Sequence, residues 1–242
     1  MTTYKGKRVL LIAPAHNEAG KIEKLVARIP WDIVDTFLVI DDASSDNTPR
    51  LAQAGGATVV SFPRQRGVGA AIRHGYQTAV NEGFDIAVVI AGNGKDDPRQ
   101  IARLLDPICA EGCDFVMGSR FLEPGATFGD MPLYRRLATR FHPWLVGLFC
   151  RKSITESTNG FRALRVGVLE DARIDLDQPW LDRYELEVYL LMRVLQLGYD
   201  FREVPVTKIY PPKQAGQTKM KPGTDWWKML KPIFLVGLRL RQ

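Results

Sequence analysis

The sequence has little of what defines several common protein classes. It contains only three cysteines in 242 residues, and their positions (109, 113 and 150) do not match the spacing of a metal site. We therefore expect free thiols in a reducing cytosol. No run of about 18 uninterrupted apolar residues is present, so the sequence predicts no ordinary membrane-spanning helix. Long charge runs, low-complexity tracts and internal repeats are also missing, which leaves one globular domain with a C-terminal appendage.

The chain does have a basic composition of ordinary hydrophobicity. Hydrophobic residues make up 45% and charged residues 25% of the sequence, as in a typical globular protein. The net charge is +6 and the isoelectric point is near 9.3. Such an excess favours anionic partners: a nucleotide diphosphate, a phospholipid surface or nucleic acid. No nucleic-acid-binding motif is found, so we expect no nucleic acid partner.

Apolar runs alternate with amphipathic segments, which predicts an α/β fold. Strands are predicted over residues 8–14, 36–41, 58–62, 86–90, 114–117, 160–166 and 201–209. Helices are predicted over residues 19–29, 48–54, 68–82, 98–110, 133–150, 182–197 and 226–241. This order implies a mostly parallel sheet with helices on both faces, and ligands at the carboxyl ends of its strands. We assign residues 1–210 to the main domain and residues 211–242 to a basic loop and an amphipathic helix.

Polar motifs follow the first two predicted strands. Residues 14–18 read Pro-Ala-His-Asn-Glu, and residues 41–48 read Asp-Asp-Ala-Ser-Ser-Asp-Asn-Thr. A carboxylate at a strand end can accept hydrogen bonds from a base or a ribose, whereas Ser, Thr and Asp can cap the next helix. We interpret Asp46 and Thr48 as caps and Asp42 as a ligand-binding residue rather than a turn residue.

These motifs, followed by Gly67-Val68-Gly69-Ala70-Ala71, resemble family 2 glycosyltransferases of the GT-A fold. Further matches follow in order: Gly118-Ser119-Arg120-Phe121, Thr158-Asn159-Gly160-Phe161-Arg162, Glu185-Leu186-Glu187 and Glu203-Val204-Pro205-Val206. The series is similar to the dolichyl-phosphate mannose synthase subgroup, the polyprenyl-phosphate glycosyltransferases. The resemblance implies that a nucleotide-diphosphate sugar is the donor. Its implied donor-binding residues are Pro14, Asn17, Glu18, Asp42, Gly67, Gly69, Asn93 and Lys95.

The segment after the fourth predicted strand departs from the family pattern. Members of the family usually read Asp-x-Asp-x-Gln there and bind a divalent ion, whereas this chain has Ala91, Asn93 and Lys95 at those places. Hard cations such as Mg²⁺ or Mn²⁺ prefer anionic oxygen ligands. Three alternatives follow: a displaced metal site that uses Asn93, Asp96 and Asp97, replacement of the ion by the Lys95 ammonium, or loss of catalysis. Asp96 and Asp97 could also simply stabilise the start of the next helix.

On the acceptor side, the resemblance places Arg120 and a second arginine, Arg135 or Arg136, near a phosphate. Two planar guanidinium groups suit bidentate phosphate binding. Glu156 stands where the family commonly has Asp, and Lys219 belongs to a Gln-Thr-Lys-Met sequence similar to a family loop that closes over the donor. We therefore predict Arg120, Arg135, Glu156 and Lys219 as catalytic residues.

Two segments, residues 133–152 and 226–241, interleave aromatic and aliphatic residues with Lys and Arg. Such a pattern is typical of an interfacial helix, and packing against the core or a dimer partner is the alternative. We therefore expect a cytoplasmic protein that is peripheral on the inner face of a membrane. A separate membrane-spanning subunit or a homo-oligomer is also compatible with the sequence.

The predicted reaction is direct inverting displacement, in which a polyprenyl phosphate attacks the anomeric carbon of the donor sugar. Such an acceptor is already an anion, so catalysis rests on positioning and charge stabilisation. A glycan or small-molecule hydroxyl as acceptor would need a general base, for which Glu156 is the candidate. A nucleotide-sugar binding protein without turnover is the alternative from another class.

Overall fold

The computed structural model describes residues 4–123, 127–128, 133–210 and 224–241. The strands are β1 (Val9–Ala15), β2 (Thr36–Asp41), β3 (Thr58–Ser61), β4 (Ile86–Val89), β5 (Phe115–Ser119), β6 (Thr127–Phe128), β7 (Arg162–Arg165), β8 (Phe201–Pro205) and β9 (Lys208–Ile209). The α-helices are α1 (Ala19–Val26), α2 (Thr48–Ala54), α3 (Val68–Asn81), α4 (Ile101–Glu111), α5 (Leu133–Cys150), α6 (Glu185–Leu197) and α7 (Thr224–Gly237). The predicted alternation of strands and helices is therefore confirmed.

Seven strands form one sheet in the order β3-β2-β1-β4-β7-β5-β8. The pairs β1–β2, β1–β4, β2–β3 and β5–β8 are parallel, and β7 is antiparallel to both β4 and β5. The predicted α/β class with a mostly parallel sheet is confirmed. Because β7 runs against its neighbours, the residues just before it lie at the same edge as the carboxyl ends of β4 and β5.

Alternating residues of β1 point into two separate apolar layers. Val9 and Leu11 pack in the layer formed with α1, α2 and α4, whereas Leu10 and Ile12 pack in the layer with α3, α5, α6 and α7. All four side chains are fully buried. Burial of such a side chain contributes about 1.5–3 kcal/mol, so the two layers hold the strand ends in fixed positions.

The predicted strand over residues 201–209 is wrong in one respect, because the chain forms two strands there. Val206 still donates its amide to the Ser119 carbonyl at 3.0 Å. Thr207 instead donates its amide to Gln100 Oε1 at 2.8 Å, and Gln100 Nε2 donates to Thr207 Oγ1 at 3.0 Å. The Gln100 side chain thus replaces a neighbouring strand as the hydrogen-bond partner of the Thr207 amide. Strand β9 then leaves the main sheet and pairs with β6.

Helix α7 packs on α5 and α6. Ile233 and Val236 are buried in the same apolar layer as α6. A Cβ added at Gly237 would lie 2.4 Å from the Phe149 ring, so α5 and α7 approach closely there. Among the described residues, no helix has both the length and the hydropathy to cross a bilayer.

Candidate active site

The carboxyl edge of the sheet gathers five segments of the chain. These are residues 16–18 after β1, 42–47 after β2, 91–97 after β4, 119–120 at the end of β5 and 155–161 before β7. Parallel α/β sheets bind ligands at this edge. The antiparallel direction of β7 adds the last of these segments to the same edge.

Asp42 connects the end of β2 to the start of α3. Its Oδ1 accepts from the Arg66 amide at 2.6 Å, and its Oδ2 accepts from the Gly67 amide at 2.9 Å. The Asp42 carbonyl also lies 2.8 Å from His16 Nδ1. The carboxylate therefore fixes the loop beside the predicted nucleoside site, and direct contact of Asp42 with a donor stays a prediction.

Asn17 and Glu18 join the loop after β1 to the loop after β2. Asn17 adopts a left-handed backbone conformation with φ of 51°. Its Oδ1 accepts from the Ser45 amide at 2.8 Å, while the Glu18 amide donates to Thr48 Oγ1 at 2.8 Å. Pro14 lies beside the exit of β4, where its carbonyl accepts from the Gly92 amide at 3.3 Å. The loops that carry these predicted donor-side residues are thus brought together, and their contact with a donor stays a prediction.

The structure shows a packing reason for glycine at positions 67 and 69, which the sequence interpretation did not include. A Cβ at Gly67 would lie 2.4 Å from the Asp182 carbonyl, and one at Gly69 would lie 2.1 Å from the Leu181 carbonyl. Gly67 also has φ of 113°, a conformation that favours glycine. The two glycines therefore let the start of α3 approach the backbone before α6, and proximity to a nucleotide remains a prediction.

Lys95 lies inside the protein at the end of the loop after β4. Its side chain is 8% exposed, and its ammonium lies 5.7 Å from the centroid of the Tyr210 ring. The Lys95 amide donates to Asn93 Oδ1 at 3.2 Å, and the Lys95 carbonyl accepts from the Ile209 amide at 2.8 Å. The loop is therefore attached to β9.

The two carboxylates that could form a displaced metal site are engaged by cationic side chains. Asp96 is 1% exposed and accepts from Lys208 Nζ at 2.7 Å and 3.0 Å. Asp97 accepts from the Arg99 amide at 3.2 Å and from the Arg99 guanidinium at 2.8 Å. Asp97 thus has the helix-start role that the sequence offered as an alternative.

These contacts do not fit the divalent-ion site that the family pattern implies. The Ala91 side chain has no ligand atom, Asn93 Oδ1 accepts from the Lys95 amide, and Asp96 forms an ion pair with Lys208. Across the ranges that the structure describes, no group of three His, Cys, Asp or Glu residues could hold a metal. The hypothesis of a displaced site at Asn93, Asp96 and Asp97 is therefore not supported by the arrangement of these side chains.

Lys208 is a residue of this cluster that the sequence analysis missed. It is 7% exposed, and its ammonium contacts Asn159 Oδ1 at 2.6 Å in addition to Asp96. Burial lowers the pKa of Lys208, and the nearby Asp96 carboxylate offsets only part of this effect. The signal that could have found it is periodicity, because Val206, Lys208 and Tyr210 are all buried at every second position.

Arg120 forms a buried ion pair with Glu156. Arg120 Nε lies 2.6 Å from Glu156 Oε2, and the two side chains are 2% and 0% exposed. The other guanidinium nitrogens donate to the Tyr210 hydroxyl and, at 2.9 Å, to Thr158 Oγ1. Burial alone would lower the pKa of Arg120, but the Glu156 charge and hydrogen bond, together with Tyr210 and Asp96, outweigh burial and hold the pKa above its ordinary value.

Glu156 is placed as an anchor for Arg120. Its Oε1 accepts from the Ser157 amide at 3.0 Å and from the Thr158 amide at 2.8 Å. Burial raises the pKa of Glu156, but the Arg120 charge and these hydrogen bonds outweigh burial and hold the pKa below its ordinary value. A carboxylate with this environment is a poor general base, so the geometry opposes the alternative in which Glu156 activates a hydroxyl.

The other predicted acceptor-side residues are only partly described. The side chain of Arg135 and the whole of Lys219 lie outside the described residues, and Arg136 is an exposed residue of α5. Phe121 connects α5 with the buried ion pair, because its ring centroid lies 5.5 Å from the Arg120 guanidinium and 5.9 Å from that of Arg140. Helix α5 therefore adjoins the buried Arg120–Glu156 pair through Arg140 and Phe121.

Comparison with known proteins identifies the family. Residues 10–172 match the profile of Glycosyl transferase family 2. The chain is 31% identical over 231 residues to polyprenol monophosphomannose synthase of Mycolicibacterium smegmatis, covering 90% of this chain and 83% of that protein. It is 30% identical over 226 residues to undecaprenyl-phosphate mannosyltransferase of Micrococcus luteus, covering 89% and 88% respectively.

A solved structure supports the same fold. Glucosyl-3-phosphoglycerate synthase of Mycobacterium tuberculosis, crystallised with Mn²⁺, uridine diphosphate and glucosyl-3-phosphoglycerate, superposes with a TM-score of 0.71. The sequences are 21% identical, and the alignment covers 98% of this chain and 82% of that chain. The profile match over most of the chain, together with these two curated relatives, shows that this protein is a glycosyltransferase of family 2.

Proposed function

We propose that this glycosyltransferase moves a sugar from a nucleotide-diphosphate sugar to a polyprenyl phosphate by direct inverting displacement. The two curated relatives described above are named for polyprenyl-phosphate acceptors. The observation that carries the proposal is the cluster of buried charges at the carboxyl edge of the sheet. Among the described residues of this cluster, the cationic side chains of Lys95, Lys208 and Arg120 lie on the same part of the edge as the carboxylates of Asp96 and Glu156.

Buried cationic side chains at the ligand edge suit a reaction between two phosphate compounds. A phosphate oxygen of the acceptor attacks the anomeric carbon, and the bond from that carbon to the diphosphate oxygen breaks. The electron pair leaves with the nucleoside diphosphate, and no proton has to be removed from the acceptor. Fixed cations lower the energy of the charge that develops on the leaving group. A hydroxyl acceptor fits less well, because Glu156 is fully buried and its oxygens are engaged.

We assign the donor diphosphate to the side of Lys95 and the acceptor phosphate to the side of Arg120. Lys95 follows β4 at the place of the family's metal-binding segment, and its ammonium would then replace part of the charge of an ion. Arg120 already donates to Glu156, Tyr210 and Thr158, so its charge is fixed in one orientation. A guanidinium held in this way loses little conformational freedom when it meets an anion.

We further propose that α5 and α7 contact the membrane that holds the lipid acceptor. Large apolar side chains are exposed along one stripe of α5: Leu133, Leu137, Phe141, Trp144 and Leu148 are 53–68% exposed. Helix α7 exposes Trp227 and Phe234, and Leu238 is exposed just after its end. Exposed Arg136, Arg140, Arg151 and Lys152 flank this surface. Apolar residues edged by basic ones suit an anionic lipid surface, and α5 adjoins Arg120 through Arg140 and Phe121.

The test is a panel of UDP- and GDP-sugars incubated with a polyprenyl phosphate, either in EDTA or with added Mg²⁺ or Mn²⁺. We expect transfer that survives EDTA and falls about 100-fold or more in Lys95→Ala, because a charge-assisted contact to the leaving group is lost. Lys24→Ala, at the exposed end of α1, is the matched control and should keep full activity. Transfer only with added metal would overturn the role of Lys95. Donor binding without transfer to any acceptor would favour the non-catalytic alternative.

A further inference from the structure

Lys208 lies at the meeting point of three segments that are far apart in sequence. Its ammonium contacts the Asp96 carboxylate at 2.7 Å and 3.0 Å, and the Asn159 side-chain oxygen at 2.6 Å. These contacts join β9, the loop after β4 and the segment before β7. With three oxygen acceptors around its ammonium, Lys208 is satisfied by the protein itself.

The backbone reinforces this junction on the neighbouring residues. Asp96 and Lys208 form an antiparallel β-bridge, and the Ile209 amide donates to the Lys95 carbonyl at 2.8 Å. The residue that precedes Asp96 in the chain is Lys95 itself. The side-chain pair and the backbone bridge together fix the position from which the Lys95 side chain extends.

We infer that Lys208 is a positioning residue for the donor diphosphate: by neutralising Asp96 and binding Asn159, it holds the loop that carries Lys95. This inference rests on the proposed function, in which Lys95 contacts the diphosphate. Buried charge pairs cost desolvation energy, and hydrophobic replacements of similar volume can be at least as stable. A buried Lys–Asp pair at the ligand edge is therefore better explained by the geometry that it imposes on the loop than by stability alone.

The test compares nucleoside diphosphate with nucleoside monophosphate, so it requires neither an acceptor nor turnover. Dissociation constants for UDP, UMP, GDP and GMP are measured by calorimetry in EDTA. For the base that binds, the wild type should prefer the diphosphate over the monophosphate. The double variant Lys208→Met/Asp96→Asn removes both charges at similar volume. Its ratio of diphosphate affinity to monophosphate affinity should fall about tenfold, while its monophosphate affinity is kept.

Lys95→Ala should show the same loss, and adding it to the double variant should give no further loss, because both changes act on one contact. Val194→Ala, which truncates a buried side chain of α6, controls for destabilisation and should keep the diphosphate preference. If the double variant does not fold, Asp96→Asn alone is judged by the same criteria.

A wild type without diphosphate preference, an unchanged preference in the charge-pair variant, or losses that add to that of Lys95→Ala would each overturn the inference. Failure of the proposed function alone would give a different result. The diphosphate preference and its dependence on Lys208 would persist, but no sugar would be transferred to a polyprenyl phosphate.

Discussion

Arg120 Nε and Glu156 Oε2 lie 2.6 Å apart inside the protein, although their residues are far apart in sequence. The pair joins the end of β5 to the segment before β7. Glu203 supports that segment from β8, since its carboxylate accepts from the amides of Thr155 at 2.8 Å and Glu156 at 2.7 Å. The orientation of the Arg120 guanidinium therefore depends on carboxylates from two other parts of the chain.

We expect Glu156→Gln to lower the free energy of unfolding by about 3 kcal/mol, because it leaves the buried Arg120 charge without its counter-ion. The transfer rate should also fall, while the pH dependence of the residual rate keeps its shape. Chemical denaturation and rate profiles from pH 5 to 9 check both expectations. Glu111→Gln, which removes an exposed partner of Arg202, should change stability by less than about 1 kcal/mol. Loss of the acidic limb in Glu156→Gln would instead identify Glu156 as a base.

Gly69→Ala should destabilise the protein by about 1–3 kcal/mol and weaken donor binding, because its Cβ would meet backbone that cannot easily move. Thermal unfolding and nucleotide titration are the measurements. Gly20→Ala in α1 is the matched control, since a Cβ there has no heavy atom within 4 Å. It should be neutral or stabilising by up to about 1 kcal/mol. Equal stability of the two variants would contradict the close approach of α3 to residues 181–183.

His142 should make the stability depend on pH. The ring lies between α5 and α7, with Nδ1 2.7 Å from Ser157 Oγ and Nε2 3.2 Å from the Met229 carbonyl. Burial lowers the pKa of His142 from its ordinary value of 6.5, and hydrogen bonding to Met229 offsets only part of this effect.

The unfolded chain therefore binds more protons than the folded protein once the pH falls below about 6.5. The stability due to neutral His142 is complete above that pH and is lost as the pH falls through the folded pKa. Denaturation curves from pH 8 to 5 should show this loss, and His142→Gln should show less of it. A variant with the same pH dependence as the wild type would refute the assignment.

The apolar stripe on α5 should determine binding to lipid. Trp144→Ser and Leu148→Ser together should reduce sedimentation with vesicles that contain anionic lipid by about tenfold or more, because two exposed apolar side chains no longer enter the interface. Trp31→Gln serves as the control, since Trp31 is also exposed at 41% but lies outside α5 and α7. Nucleotide affinity should be unchanged in all variants. Vesicle binding that is unchanged by the α5 substitutions would point to a protein partner for this face.

Most strands and helices could be predicted from the sequence because their periodicity is a local property. The direction of β7 could not, since residues 162–165 pair with β4 and β5 on both sides and only tertiary packing decides the direction. The break between β8 and β9 could not be predicted either, because it also depends on a tertiary contact. It depends on the Gln100 side chain, which approaches Thr207 from another part of the chain.

In the candidate site, too, some residues could be predicted from the sequence and others depend on tertiary contacts. A strand-end motif led to Asp42 and the family resemblance led to Arg120 and Glu156, and the structure brings the segments that carry them to one edge of the sheet. Lys208 belongs to none of the family motifs, and a lone lysine in an apolar strand gives no chemical signal. Its alternation with Val206 and Tyr210 could have indicated burial, but its role depends on Asp96 and Asn159, which are 112 and 49 residues away.

The position of β7 between β4 and β5 also limits how related proteins could exchange parts. Strands β1 to β4 and their helices are continuous in the chain, so they could be inherited as a block. A crossover between residues 97 and 161, however, would pair β4 of one parent with β7 of the other, and Asp96 of one with Lys208 of the other. Helix α5, between β5 and β7, lies outside the main sheet, so changes on its exposed face leave the hydrogen bonds between the strands intact. New acceptors could thus be acquired through that segment, while the residues on both sides of it would have to evolve together.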